Sequence, residues 1–244
     1  MFFHAKSILS QARNAATEIA SLAGSKKSEI SLGISENLET AVIPLLLRRL
    51  KIMLPDLLMT IDRDHPRSIA DKIRSGTIDF GIGSHVSDPN DPDLLYETVF
   101  TEPYVLVSRP GHPLAKKKRV SLKDVGTYDW VISRSTEEMG HVRSPYFNYY
   151  FSRKGVKSPE VVVATNSFSV MRSCIVETDT IAILPKLFIA DDLASGHLVG
   201  LGLKEIQLVV DLGFIFSRHR EMSDVHIQVC EIIRSVLNEC AIAN

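Results

Sequence analysis

The residues of this 244-residue chain best able to ligate a metal or attack a carbonyl are eight histidines and three cysteines. Their spacing supports neither chemistry. The histidines are scattered, with no H-E-x-x-H pair to set two imidazoles on one helix face, so no metal site is expected. Cys174, Cys230 and Cys240 stand far apart without a C-x-x-C pair, which argues against a zinc site or a disulfide framework and fits a reducing cytoplasm. No serine sits in a G-x-S-x-G elbow, and no acid–base pair stands out, so no catalytic group and no enzymatic activity are expected. Gly81-Ile82-Gly83 follows an apolar run, but the third glycine of a dinucleotide fingerprint is missing and no helix follows directly, so no cofactor is expected. His112 lies in the break Arg109-Pro110-Gly111-His112-Pro113 and reads as a turn residue first. Lys116-Lys117-Lys118-Arg119 is the one basic run; it reads as a solvated turn, with phosphate binding the lesser alternative.

Bulk charge narrows the classes further. The formal net charge is −1, which leaves no electrostatic footprint for nucleic acid; if the protein works on DNA, the DNA-reading surface is not in this chain. A hydrophobic fraction of 45% and a charged fraction of 23% are ordinary for a globular protein. The apolar stretches are too short and too charged to span a bilayer, and the N-terminus has no export signature. A cytoplasmic protein without a membrane partner is expected.

The elements that must position any site begin with a seam. Phe2, Ala5, Leu9, Ala12, Ala16, Ile19 and Ala23 alternate spacings of three and four, a heptad pattern over about three repeats. Gly24 ends this helix, and Ser25-Lys26-Lys27-Ser28 forms a polar hinge. A partner helix from a second chain is favoured over packing on the helix's own domain, and both remain open.

After the hinge the pattern becomes strand–helix. Residues 30–34 form a strand, and Ser35-Glu36-Asn37 carries helix-cap chemistry. An apolar-periodic stretch runs over 38–54, with the main helix expected to start at Pro44, where the missing N–H does no harm. Strands are expected at 57–61 and 78–82, with a helix between them at 68–74 closed by Gly76. Two further strands are expected at 94–100 and 104–108. The theme then repeats: strand 129–133, helix 144–154, strand 160–164, helix 167–177, strand 180–184 and helix 186–194 stopped at Gly196. An apolar run at 208–216 reads as a strand or pair, and a last helix follows Ser223. This rhythm predicts an α/β fold with parallel sheets, built as two similar lobes. Such sheets bind ligands beyond their strands' carboxyl ends.

Several segments, in order, resemble the LysR-type transcription regulators: H-A-K-S-I-L at 4–9, I-S-L-G-I at 30–34, L-P-D at 54–56 and I-R-S-G-T-I-D-F-G-I at 73–82. E-P-Y-V-L-V with R-P-G-H-P-L-A at 102–115, and I-A-I-L-P at 181–185, complete the match. The resemblance implies two Rossmann-like lobes as in type 2 periplasmic binding proteins, with an N-terminal linker helix. The corresponding domains are a linker helix and hinge at 1–27, regulatory lobe I at 28–108 plus 213–244, and regulatory lobe II at 109–212. It further implies a small-molecule effector in the interlobe cleft, a homodimer or homotetramer, and a winged helix-turn-helix ahead of Phe2 in a longer protein. Promoter DNA and RNA polymerase would be partners only of that full-length protein. A solute-binding protein and a small-molecule enzyme on the same fold are the alternatives. One departure is visible: Glu177-Thr178-Asp179-Thr180 stands where family members often carry a glycine pair, which puts that turn's backbone geometry in question.

By position, the resemblance places the effector against Ser35, Glu36 and Asn37; Thr101 and Glu102; Ser133, Arg134 and Ser135; and Asn166, Ser167 and Phe168. The chemistry agrees in part. Residues 36–38 and 166–168 open helices whose first N–H groups can hold an anionic group. The hydroxyls of Ser35, Thr101, Ser133 and Ser167 donate and accept without adding charge, and Arg134 can pair with a carboxylate. Ser35, Asn37 and Asn166 serve equally well as helix caps, Arg134 as a solvated charge, and Phe168 better as core. Glu36 and Glu102 would oppose an anion, so a small carboxylate is only the leading choice.

Overall fold

The computed structural model describes residues 28–84, 91–133, 151–152, 155–203 and 208–243. The heptad seam at 2–23 lies outside the described residues, as does the helix expected over 144–154 except at 151–152. The chain divides into two compact units, residues 1–101 with 211–244, and residues 102–210. The divisions expected after 108 and 212 fall further along the same two strands that carry the chain between the units.

In the first unit β1 (Glu29–Ile34) lies between β2 (Leu58–Arg63) and β3 (Phe80–Ser84), all parallel, with Leu32 opposite Ile61 and Ile34 opposite Ile82. Ile30, Leu32 and Ile34, which share one face of β1, are fully buried. β9 (Leu208–Ser217) runs antiparallel on β3, pairing Gly83 with Gly213, and β4 (Leu94–Ser108) follows it.

Helix α1 (Glu36–Met53) buries Leu38, Val42, Leu46 and Leu50, a four-residue repeat that makes one apolar stripe. It packs on α6 (Asp224–Ala243), and Arg49 reaches across to Glu239 and to the Ser235 hydroxyl. The expected start at Pro44 is corrected: the helix begins at Glu36 and runs through the proline. Pro44 and Thr40 are both exposed, so the hydrogen bond that the ring abolishes lies on the wet face, where water can take the Thr40 carbonyl.

Helix α2 (Pro66–Arg74) starts on a proline and is capped by His65, whose Nδ1 accepts from the Arg67 N–H at 3.3 Å. It lies close on the sheet because Gly33 and Gly81 have no side chains: a Cβ on Gly81 would stand 2.4 Å from Ile69 Cγ2, and one on Gly33 2.6 Å from Ile78 Cδ1.

The second unit takes the rest of β4, a 3-10 turn (Pro113–Lys116), α3 (Leu122–Val125), β5 (Trp130–Ser133) and β6 (Val161–Thr165). Helix α4 (Phe168–Glu177), β7 (Ala182–Pro185), α5 (Ala190–Ser195), β8 (Val199–Gly200) and the start of β9 complete it. β5 and β6 are parallel, and β4 pairs antiparallel with β7 and β8. Trp130 anchors the core edge-on to Phe151, with its Nε1 donating to the Val125 carbonyl at 3.0 Å.

Three expectations change here. The strands expected at 94–100 and 104–108 are one strand, β4, which continues through Pro103. The helix expected over 186–194 is only Ala190–Ser195, because Lys186 and Leu187 donate their N–H groups to the Pro103 carbonyl and the Glu102 carboxylate instead. The turn at Glu177–Thr180 forms without glycine. Thr178 is extended, its hydroxyl donates to Cys174 O at 2.7 Å, and the same oxygen accepts from Thr180 N–H at 3.1 Å.

Candidate functional site

Two helix N-termini meet the carboxyl ends of β1 and β3 at one edge of the first unit. Ser35 has the extended backbone of an N-cap, yet its side chain caps nothing. Its N–H donates to Ile82 O at 3.1 Å and its hydroxyl leans to the same carbonyl at 3.4 Å. Gly83 lies directly beneath: a Cβ there would stand 2.1 Å from Ser35 Oγ and 3.7 Å from Pro66 Cγ at the start of α2. Asn37, the second residue of α1, is buried.

Charges at this edge are paired. Arg63 contacts Glu36 at 3.2 Å and Glu39 at 3.8 Å. Burial raises the Glu39 carboxyl, with Arg63 opposing and Glu36 adding. Lys72 joins Asp62 and Asp64 at 2.7 and 2.8 Å. Burial would raise Asp64, but hydrogen bonds from Lys72, Ser68 and the His65 N–H outweigh it and lower the carboxyl. Thr101 is exposed on β4, and its hydroxyl donates to Asp211 Oδ1 at 2.8 Å.

The second unit carries a similar edge. Ser133 pairs with Thr165 at the carboxyl ends of β5 and β6. The Ser167 N–H donates to Thr165 Oγ1 at 3.2 Å, and the Ser167 hydroxyl caps α4 by accepting from Val170 N–H at 3.3 Å. Asn166 is exposed beside them. Phe168 is core, with its ring 5.5 Å from that of Phe188. Arg134 and Ser135 lie outside the described residues.

Glu102 is employed by its own unit. It is 2% exposed and accepts from Leu187 N–H at 2.7 Å; burial raises its carboxyl, with that hydrogen bond and Lys186 opposing. Thus Ser35, Glu36 and Asn37 form one group, Ser133, Asn166 and Ser167 a second, and Thr101 sits with Asp211. Arg63, His65, Thr165 and Asp211 carry no role in the sequence pattern, and Gly83 stands out there only as part of an incomplete dinucleotide fingerprint. The run Asp64-His65-Pro66 was the legible signal among them, since an acid just ahead of Pro marks a helix start.

His112 is fully buried and occupied at both ring nitrogens: Nδ1 accepts from Leu114 N–H at 3.0 Å and Nε2 donates to Asp179 O at 3.1 Å. Burial lowers its basicity, with Asp179 opposing. Among the described residues no group of three or more His, Cys, Asp or Glu could hold a metal ion, and no helix is long and apolar enough to cross a membrane. Lys116 to Arg119 lie at the surface, and Lys117 pairs with Asp124 at 2.6 Å.

A family model described as the LysR substrate binding domain matches residues 23–238. The HTH-type transcriptional regulator GalR of Pseudomonas putida is 26% identical over 200 residues, covering 78% of this chain and 49% of the regulator. The chain spans about half the length of the curated relatives it matches. The Synechocystis CcmR regulatory domain, solved with 2-PG, superposes with a TM-score of 0.71 at 18% identity, covering 86% of this chain and 97% of that one. The QuiR effector-binding domain, solved with shikimate, gives 0.70 at 18% identity, covering 88% and 99%. Both share the type 2 periplasmic-binding-protein fold with this chain.

Proposed function

The chain belongs to the LysR substrate-binding domain family, and from that premise we propose that it is the effector-sensing region of a longer transcription regulator. Its effector is a small molecule with an anionic group, a carboxylate first. The observation that carries this is the edge of the first unit, where α1 and α2 begin beside the carboxyl ends of β1 and β3 and Ser35 leaves the α1 N-terminus uncapped. Helix N-termini favour negative charge, and Arg63 offsets Glu36 there. Shikimate, bound by the similar QuiR domain, is a small carboxylate of this kind. Promoter DNA and RNA polymerase are partners of the longer protein, whose DNA affinity shifts only if the effector binds its two states differently.

A thermal-shift screen of small carboxylates, organic phosphates and neutral polyols tests the reading. A true effector at 100 times its Kd stabilises by about 2.7 kcal/mol, a shift of a few degrees. A panel without a single hit, or a tight ligand that leaves promoter binding by the longer protein unchanged, defeats it.

Self-association is the second part of the proposal. β2 is an edge strand, paired only with β1 among the described strands. It exposes Leu58 (53%) on one face and Ile61 (41%) on the other. Open apolar edges of this kind invite pairing, and a second copy is the occupant consistent with a homo-oligomeric regulator. The double variant Leu58→Lys with Ile61→Lys should weaken self-association by about tenfold or more, since two apolar contacts of roughly 1 kcal/mol each are lost. Sedimentation velocity of both proteins across a dilution series checks it, and unchanged mass distributions would sink it.

A further inference from the structure

We infer that His112 is an acid-sensitive latch, which in its neutral form alone ties the 3-10 turn at Pro113–Lys116 to the turn that ends α4. Proton uptake by the imidazole releases both turns while the neighbouring strands stay paired. The latch lies wholly within the second unit and does not depend on the effector-sensing reading.

His112 caps the 3-10 turn from an extended backbone, with φ −63° and ψ 141°. Its Nδ1 lies 3.0 Å from the Leu114 nitrogen. A backbone N–H can only donate, so Nδ1 must present its lone pair. The proton of the neutral ring therefore sits on Nε2, which donates to the Asp179 carbonyl at 3.1 Å. Both nitrogens are occupied and the ring is fully buried, with the Tyr128 ring packed on it at 4.5 Å between centroids. One imidazole thus joins two turns that lie 67 residues apart in the chain.

A second proton can go only to Nδ1, where it would point at the Leu114 N–H, donor against donor. Burying a charge without a new acceptor is costly, and the groups facing the ring do not supply one. From the Glu177–Thr180 turn Asp179 favours the cation, but its carboxylate is already paired with Arg109 at 2.7 Å. From the ring's own turn Arg109 opposes the cation, and from the α3–β5 connection Tyr128 presents its ring. Burial prevails and lowers the ring's proton affinity from the ordinary 6.5, with Asp179 opposing and Arg109 assisting. The folded ring is therefore the weaker base. Its contribution is complete above the ordinary imidazole range and is lost as the pH falls below it. The open ring escapes this conflict by turning to water, leaving Leu114 N–H and the Asp179 carbonyl behind.

Amide hydrogen exchange of the intact chain, followed by NMR from about pH 7.5 to about pH 5 and expressed as protection factors, reads the latch directly. Protection of the Leu114 amide should fall by about tenfold per pH unit once the pH is below the ordinary imidazole range. Protection of Val131, which donates to Ile181 O at 3.0 Å on the neighbouring strands, should hold. His112→Asn keeps a side-chain oxygen for the Leu114 N–H but has no titrating group, so its Leu114 protection should stay level over the same range. Should that variant fail to fold, the wild-type ring decides. Its nitrogen shifts must show the neutral proton on Nε2, and uptake of the second proton must coincide with loss of Leu114 protection. A Leu114 amide equally protected throughout, or a doubly protonated ring with that amide still protected, overturns the inference. So does an equal acid loss at Val131, which would mean that the unit opens as a whole, and so does the wild-type acid loss in His112→Asn.

Discussion

Gly213→Ala is expected to destabilise the first unit by about 3 kcal/mol or more, a loss set by what the added methyl would strike. A Cβ at 213 would lie 1.9 Å from the Glu97 carbonyl oxygen and 2.8 Å from Glu97 C and Thr98 Cα. All three are backbone atoms of β4, so no side chain can rotate away and the strands must part. β9 also pairs Gly213 with Gly83 on β3, so displacement here spreads towards the edge that carries Ser35. Gly81 differs, since the atom struck there is a side-chain methyl of Ile69 and not backbone. A methyl added at Gly202 would meet nothing within 4 Å, and Gly202→Ala should stay within about 0.5 kcal/mol of wild type. Urea denaturation of both variants decides the matter. A Gly213→Ala stability within about 1 kcal/mol of wild type would mean that β4 and β9 yield more easily than a paired strand should.

Glycines at such crossings are visible in the sequence, but their purpose is not, and that divides the legible from the illegible here. Local periodicity reached the elements: the alternation Ile30, Leu32, Ile34 marks β1, and the apolar spacing of α6 marks the last helix. Where a boundary depended on a distant partner, periodicity failed. Pro44 looks like a helix start, yet α1 passes through it because the proline faces solvent. Lys186 and Leu187 look helical, yet their N–H groups are claimed by Pro103 and Glu102, far back along the chain on β4. The site divides in the same way. Ser35, Asn37 and Ser167 were readable as residues that open helices. Arg63 over Glu36, and Asp211 beneath the Thr101 hydroxyl, depend on neighbouring strands and had no sequence signal. Glu102 shows the converse, a residue matched by position whose carboxylate is taken up by Leu187.

Asp79→Ala should lower stability at neutral pH by about 3 kcal/mol, because it leaves the half-buried Arg220 without its partner and the Ser31 donors without their acceptor. Asp79 lies just ahead of β3 and is 12% exposed at its side chain. One oxygen accepts from the Ser31 N–H at 2.6 Å and the Ser31 hydroxyl at 2.8 Å, which ties β3 to β1. The other faces Arg220, itself 18% exposed, with His226 Nε2 at 3.8 Å. Burial pushes this carboxyl up, but His226, the two Ser31 donors and Arg220 together hold it at about 2, against an ordinary 3.8. The folded value is the depressed one, so the stabilisation is complete above the ordinary carboxylate range and is lost as the pH falls towards 2. Integrated over that difference, the charged form contributes about 2.5 kcal/mol. Asp79→Asn should therefore differ most from wild type at neutral pH and converge with it in acid, while Asp79→Ala should remain weaker throughout through its lost hydrogen bonds to Ser31. A wild-type minus Asp79→Asn difference that stays constant from about pH 6 to about pH 2.5 would show that the charge of Asp79 does not hold this corner together. The consequence reaches the edge that carries Ser35, because Asp79 ties β1 to the start of β3, and the pairing of these strands sets Ser35 over Gly83.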